Sequence, residues 1–130
     1  KGNVFLSIDD DNKNKLLPIA KKLKQLSFKL IATKGTASFL NKNGLEVTII
    51  NKVKEGSPHI VNLLFSQKID LVINTTKTQH SIKDSYSIRR TSLINNIPYY
   101  TTMAGAKVAV DAIEVLRKNN LTVTTLQSIN

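Results

Sequence analysis

The sequence predicts an α/β protein with an open, mostly parallel, twisted sheet of about five strands and helices on both faces. Two observations lead to this prediction. Short β-rich apolar segments alternate with amphipathic helical segments along the whole chain. Polar residues follow each of the first five predicted strands, at the end where parallel sheets bind their ligands. The 130 residues, 41% of them apolar, are predicted to form one domain with its own core.

The strands are predicted from short apolar runs bounded by polar residues. In chain order they occupy residues 3–8, 28–31, 46–50, 69–73 and 97–100, with a further strand over residues 121–126.

The helices are predicted from apolar residues at helical spacing and from signals at their ends. Pro18 is expected in the first turn of the first helix, with Asn12 or Asn14 near its cap, because proline there removes the fewest backbone hydrogen bonds. Gly44 is expected to end the second helix. Pro58 is expected to open the third helix at its first position.

The composition excludes several classes of function. Cysteine is absent, so disulfides, thiolate metal sites and a cysteine nucleophile are excluded. The two histidines lack zinc-ligand spacing, so no metal site is predicted. No apolar run is long enough to span a bilayer and no signal peptide is visible, which predicts a cytoplasmic protein.

The formal net charge of +10 leaves a nucleic-acid or other polyanion surface as one alternative. Most of the positive charge is lysine, and aromatic residues make up only 5% of the chain. The stacking platforms of a single-strand binder are therefore missing. Small anionic molecules fit the composition better than nucleic acid does.

One stretch, residues 31–37, stands out as a phosphate-binding turn. A predicted strand runs into Thr33, Lys34, Gly35 and Thr36, and a helical pattern resumes at once. Such a junction presents backbone N–H groups and the positive end of a helix dipole to an anion. The same residues can equally serve only as a helix cap and a tight turn.

Polar residues after the other strands are predicted to share the same edge of the sheet. They are Asp9 to Lys13, Thr33 to Thr36, Lys52, Asn74 to Thr76, and Thr101 with Thr102. Lysines, hydroxyl groups and a helix N-terminus facing one crevice predict a site for a phosphate monoester.

Several blocks of the chain resemble the C-terminal methylglyoxal-synthase-like domain of the carbamoyl phosphate synthase large chain. The blocks are residues 6–8 with Lys13, 32–37, 51–60 (NKVKEGSPHI), 73–76 (INTT) and 88–90. The resemblance covers essentially the whole chain. It implies a Rossmann-like three-layer sandwich, and it implies that residues 1–130 are one regulatory domain excised from a longer protein.

The resemblance also implies a function in allosteric regulation. In that family the domain binds nucleotide monophosphates, with UMP as inhibitor and IMP as activator, and it contacts the activator ornithine at an interdomain edge. The parent enzyme is an ATP-dependent ligase of pyrimidine and arginine biosynthesis that uses Mg or Mn and works with a small glutaminase subunit. No cofactor, catalytic site, nucleic acid or membrane contact is expected for this domain, and a homo-oligomer is left open.

Site residues follow from the resemblance position by position. The effector phosphate is assigned to Lys13, Thr33, Thr36 and Lys52, with Gly35 in the turn between the threonines. The nucleoside side is assigned to Asn74, Thr75, Thr76 and Ser85. Thr101 matches a residue that contacts ornithine.

A free-standing methylglyoxal synthase, a phosphate lyase of the same fold, is the other alternative. Such enzymes carry an aspartate base after the third strand and a His/Asp pair after the fourth. Here the first loop offers only Glu55, and residues 76–79 lack the second pair. Without a positioned base a proton cannot be removed from a triose phosphate. The cyclohydrolase domain of purine synthesis matches the 51–60 and 73–76 blocks less well.

Overall fold

A computed structural model describes the backbone of residues 2–50, 68–75 and 79–129, and the side chains of residues 2–50, 68–75 and 86–118. Strands and helices alternate along the chain. The strands are β1 (Gly2–Ser7), β2 (Phe28–Ala32), β3 (Thr48–Ile49), β4 (Leu71–Asn74) and β5 (Tyr99–Tyr100). The helices are α1 (Lys13–Gln25), α2 (Lys34–Lys42), α3 (Gln79–Ile94) and α4 (Met103–Ile129), and a 3₁₀ turn (Asp10–Asn12) precedes α1.

The described strands form one sheet in the order β3-β2-β1-β4-β5, and all four strand pairings are parallel. The predicted open parallel sheet is therefore confirmed. The chain moves outward from β1 through β2 to β3, and then crosses to β4 on the other side of β1. The strand order thus reverses between β1 and β4, and the carboxyl ends of these two strands are where such folds open a ligand crevice.

Alternate residues of the strands face two separate apolar cores, as expected when both faces of a parallel sheet are covered. Val4 and Leu6 of β1 pack with residues of α1, α2 and α4. Phe5 between them packs on the opposite face with Val72 of β4 and Ile88 of α3. Helices therefore cover both faces of the sheet, as predicted.

The predicted helix ends are confirmed in part. Asn12 is the N-cap of α1, and Gly44 has a φ of +84° directly after the C-cap of α2. Pro18, however, is the sixth residue of α1 rather than a residue of its first turn, so its ring removes the donor that would bond to the carbonyl of Asn14. The helix predicted to begin at Pro58 lies outside the described residues.

The strand predicted over residues 121–126 is wrong. The last helix continues through this β-branched segment to Ile129. Strand preference depends on a neighbouring strand to pair with, whereas extending a helix that already exists adds one hydrogen bond for each residue fixed.

Candidate functional site

Four polar residues form a row across the carboxyl edge of the sheet. Ser7 of β1 is in register with Asn74 of β4. Thr33 follows β2, where its amide continues the ladder to Leu6 and its hydroxyl donates to the Ser7 hydroxyl at 3.4 Å. Thr101 directly follows β5 and extends the row by one strand. The side chains of Ser7 and Asn74 belong to the α3 face of the sheet, because they alternate with strand residues of the opposite core.

The first turn of α2 begins within this row. Thr33 is its N-cap, with φ −68° and ψ 161°, and the carbonyl of Thr33 accepts the first helical hydrogen bond from Ala37 at 2.8 Å. The Thr33 side chain does not cap the helix. The amides of Lys34 and Gly35 have no intrahelical acceptor, as in the first turn of any helix. This turn can therefore donate several backbone hydrogen bonds to an anion.

Lys13 brings a positive charge to the same turn. It is the first residue of α1, and its side chain is only 17% exposed. A Cβ atom added to Gly35 would lie 3.5 Å from the Lys13 ammonium nitrogen. The ammonium also forms an ion pair with the Asp10 carboxylate. Lys13, Thr33 and Gly35 are thus brought together as the sequence predicts.

Thr36 lies in the same turn, but its hydroxyl is engaged by β1. The side chain is buried, and its oxygen accepts a 3.0 Å hydrogen bond from the amide of Ile8 and lies 3.4 Å from the Ile8 carbonyl. This contact ties the end of β1 to α2. Thr36 therefore positions the turn from inside, and its exposure of 2% leaves the hydroxyl little room to reach a ligand.

Thr75 plays a similar structural part after β4. Its amide donates to the carbonyl of Ser7 at 3.0 Å, and its hydroxyl accepts from the amide of Asp9 at 2.9 Å. The hydroxyl also donates to the Asp9 carboxylate, which accepts a 2.8 Å hydrogen bond from the Asn12 side chain. Thr75 thereby fixes the loop that leads from β1 to Lys13.

Asn74 is buried on the α3 face, where its side-chain nitrogen donates to the hydroxyl of Tyr99 at 2.9 Å. Among the other residues assigned to the nucleoside side, Thr76 lies outside the described residues. Ser85 belongs to α3, but its side chain lies outside the part that the structure describes. Lys52, assigned to the phosphate, also lies outside the described residues.

Thr101 is exposed and lies apart from the first turn of α2. Three strand spacings separate it from Thr33, a distance of about 14 Å. It borders a cleft of about 670 Å³ between α1 and the first half of α4, which Lys15 and Lys107 also line. At this separation one ligand phosphate cannot contact both Thr33 and Thr101.

Ion pairs join the two helices that form the cleft. The ammonium of Lys22 on α1 lies 2.7 Å from the Asp111 carboxylate and 3.4 Å from that of Glu114, both on α4. Lys107 also pairs with Asp111, at 3.1 Å. The hydrogen bond with Lys22 lowers the pKa of Asp111, and the same bond raises the pKa of Lys22.

Comparison with known proteins places this architecture in a family. Residues 15–101 match the MGS-like domain family. The chain belongs to the MGS-like domain family.

Sequence relatives of this MGS-like domain include large chains of carbamoyl phosphate synthase. The domain is 47% identical over 127 residues to the carbamoyl phosphate synthase large chain of Rhizobium meliloti, covering 98% of this chain and 11% of the relative. It is 44% identical over 131 residues to the C-terminal section of the large chain from Methanopyrus kandleri, covering 100% of this chain and 24% of the relative. The chain therefore spans a small part of the relatives that it matches.

Solved structures share the fold at much lower sequence identity. Methylglyoxal synthase from Elizabethkingia anophelis superposes on the MGS-like domain with a TM-score of 0.65 at 19% identity, covering 85% of this chain and 77% of that chain. ForH superposes with a TM-score of 0.67 at 15% identity, covering 88% and 79%. The predicted fold class is therefore confirmed. No helix in the described ranges 2–50, 68–75 and 79–129 is long and apolar enough to cross a membrane.

Two residues of the MGS-like domain's candidate site, Ser7 and Tyr99, were given no role by sequence reasoning, and Asp10 was placed at the sheet edge without its ion pair to Lys13. Ser7 could have been found as the polar last residue of an apolar strand, on the same face as Phe5. Asp10 could have been found from its spacing of three residues before Lys13. Tyr99 has no comparable signal, because its contact with Asn74 joins residues 25 positions apart.

Proposed function

We propose that this MGS-like domain is the effector-binding regulatory domain of a carbamoyl phosphate synthase large chain. The similarity to two such large chains over 98% and 100% of this chain supports the assignment to the enzyme. The observation that carries the binding function is the convergence of Lys13, Gly35 and the Thr33 cap at the first turn of α2. The rest of the large chain, the small glutaminase subunit, ATP and its Mg or Mn belong to the parent enzyme in this proposal.

The ligand is a nucleoside monophosphate held first by its phosphate. The amides of the α2 turn donate to the phosphate oxygens, and Lys13 supplies a positive charge from the side. The nucleoside extends along the edge of the sheet toward Asn74, which lies two strands from Thr33 and is within reach of a ribose or base. UMP as inhibitor and IMP as activator are the effectors proposed.

Ornithine is proposed to bind at the Thr101 edge rather than at the phosphate turn. The distance of about 14 Å between Thr33 and Thr101 allows both ligands to be bound together. An effector regulates only if it binds one conformation of the parent enzyme more tightly, with a coupling of about 1–3 kcal/mol.

Isothermal titration of the 130-residue chain with UMP, IMP, inorganic phosphate and uridine tests the proposal. Saturable one-site binding is expected for both nucleotides and for phosphate, with uridine weakest because it lacks the anion. Lys13→Ala should weaken phosphate binding about tenfold, since it removes a charge-assisted hydrogen bond. Lys21→Ala, an exposed lysine on the same helix, is the matched control and should leave the affinity unchanged.

Two results would contradict the proposal. Steeply salt-dependent binding of long polyanions, with no preference for nucleotides, would indicate a general basic surface. Turnover of dihydroxyacetone phosphate by the purified chain would indicate a lyase instead.

A further inference from the structure

The ammonium group that faces the phosphate turn already has an anionic partner from the protein itself. Lys13 pairs with Asp10, three residues earlier, and its nitrogen lies beside the position of a Cβ at Gly35. A phosphate bound to the amides of the α2 turn would therefore meet this ion pair. The Asp10 carboxylate and the ligand would compete for one positive charge.

The two partners of this ion pair are held very differently. The Lys13 side chain is 17% exposed, whereas that of Asp10 is 90% exposed. Lys13 therefore has a defined position, while Asp10 can turn into water at little cost because it loses no buried contact. When a stronger anion arrives, Asp10 is the partner that leaves.

We infer that Asp10 sets the affinity and the charge selectivity of the site by competing with the ligand phosphate for Lys13. This inference rests on the proposed function. A dianionic phosphate with three acceptor oxygens can bond to the Lys13 ammonium and to the α2 amides at the same time. The Asp10 carboxylate pairs with the ammonium alone, so it is the weaker partner. Asp10 thus occupies Lys13 in the absence of effector, and it opposes binding of weaker, singly charged anions.

The variant Asp10→Asn tests whether the Asp10 carboxylate competes with the ligand phosphate for Lys13 or instead favours phosphate binding. It keeps the size of the side chain and the backbone of the 3₁₀ turn but removes the charge. If Asp10 competes, titration of the 130-residue chain with inorganic phosphate and with UMP should show binding about two- to fivefold tighter at low ionic strength. The gain should shrink as added salt screens the exposed carboxylate.

Three further variants locate the effect. Glu46→Gln removes an exposed negative charge before β3, at a distance from the turn, and should leave affinity unchanged. Asp10→Ser should reproduce the gain of Asp10→Asn. The third variant combines Lys13→Met with Asp10→Asn and completes a double-mutant cycle. In the Lys13→Met background, Asp10→Asn should not raise phosphate affinity, because the ammonium for which Asp10 competes is absent.

Each outcome decides between the two proposals. If the unsubstituted chain binds phosphate and UMP but Asp10→Asn binds them equally or more weakly, Asp10 does not compete, and the proposed function stands. If Asp10→Asn still raises phosphate affinity in the Lys13→Met background, the increase comes from the general electrostatic effect of removing a negative charge, and the inference fails. If the unsubstituted chain binds neither ligand, both proposals are overturned.

Discussion

The hydroxyl oxygen of Thr36 accepts a 3.0 Å hydrogen bond from the backbone amide of Ile8. Thr36 is in the first turn of α2, and Ile8 is the residue that follows β1. Because both groups are buried, the contact fixes where the helix begins relative to the central strand. The first turn of α2, where phosphate is proposed to bind, is therefore held in place by a side chain that sequence reasoning assigns to the ligand.

Thr36→Val should destabilise the fold as well as weaken phosphate binding. Valine fills the same volume but leaves the Ile8 amide without its acceptor, which costs about 1–3 kcal/mol. Thr36→Ser keeps the hydroxyl and should retain most of the stability and the affinity. Urea unfolding and phosphate titration of both variants provide the measurement. An unchanged free energy of unfolding for Thr36→Val would show that this hydrogen bond does not contribute to stability.

Gly35→Ala, unlike Thr36→Val, should weaken phosphate binding without lowering stability. The added methyl group fits sterically, since its contact with Lys13 is an ordinary 3.5 Å, and alanine favours a helix over glycine by about 0.5–1 kcal/mol. Thermal stability should be equal or higher, whereas phosphate affinity should fall several-fold because the methyl group lies between the helix amides and the ammonium.

Ser38→Ala, at an exposed position in the same helix, is the control for this experiment. It should change stability slightly and phosphate affinity not at all. Unchanged phosphate binding by Gly35→Ala would mean that the anion does not approach this turn.

Which residues lie at the carboxyl edge of the sheet is largely predictable from sequence, because two simple rules locate them. Apolar runs locate the strands, and parallel strands bring the residues that follow them to one edge. Thr33, Asn74 and Thr101 fall in one row for this reason. Gly35 and Lys13 meet because one lies in the first turn of α2 and the other opens α1.

The internal partners of these residues are not predictable in this way. Whether a threonine hydroxyl faces a ligand or a backbone amide depends on tertiary distances, and the contact of Thr36 with Ile8 spans 28 positions.

The position of Pro18 in α1 is also not predictable from the sequence. Its cost inside α1 is one lost hydrogen bond, and the packing of the buried neighbours Leu16, Ile19 and Ala20 on the sheet offsets that cost.

Tyr99→Phe should alter the nucleoside side of the site without affecting the phosphate turn. The substitution removes the hydroxyl that accepts from the buried Asn74 side chain, so stability should fall by about 1 kcal/mol. The ratio of UMP affinity to inorganic phosphate affinity should fall, since Asn74 loses a contact that orients it. Tyr100→Phe, on the neighbouring residue of β5, is the control. An unchanged affinity ratio would remove Asn74 and Tyr99 from the nucleoside site.

The ion pairs between α1 and α4 predict a pH-dependent contribution to stability. The lowered pKa of Asp111 means that its contribution is present above the ordinary value of 3.8 and is lost as pH falls through the lowered value. The raised pKa of Lys22 means that its contribution is present below 10.5 and is lost as pH rises through the raised value. The unsubstituted chain should therefore exceed Asp111→Asn in stability mainly between these limits.

Urea midpoints measured for both proteins at about pH 2, 7 and 11 test this window. The difference should be largest at neutral pH and should shrink in high salt, because these charges are partly exposed and screened. Glu46→Gln, which removes an exposed charge away from these helices, should show no such maximum. A constant difference between the unsubstituted chain and Asp111→Asn at all three pH values would mean that packing, rather than the charge pair with Lys22, joins α1 to α4.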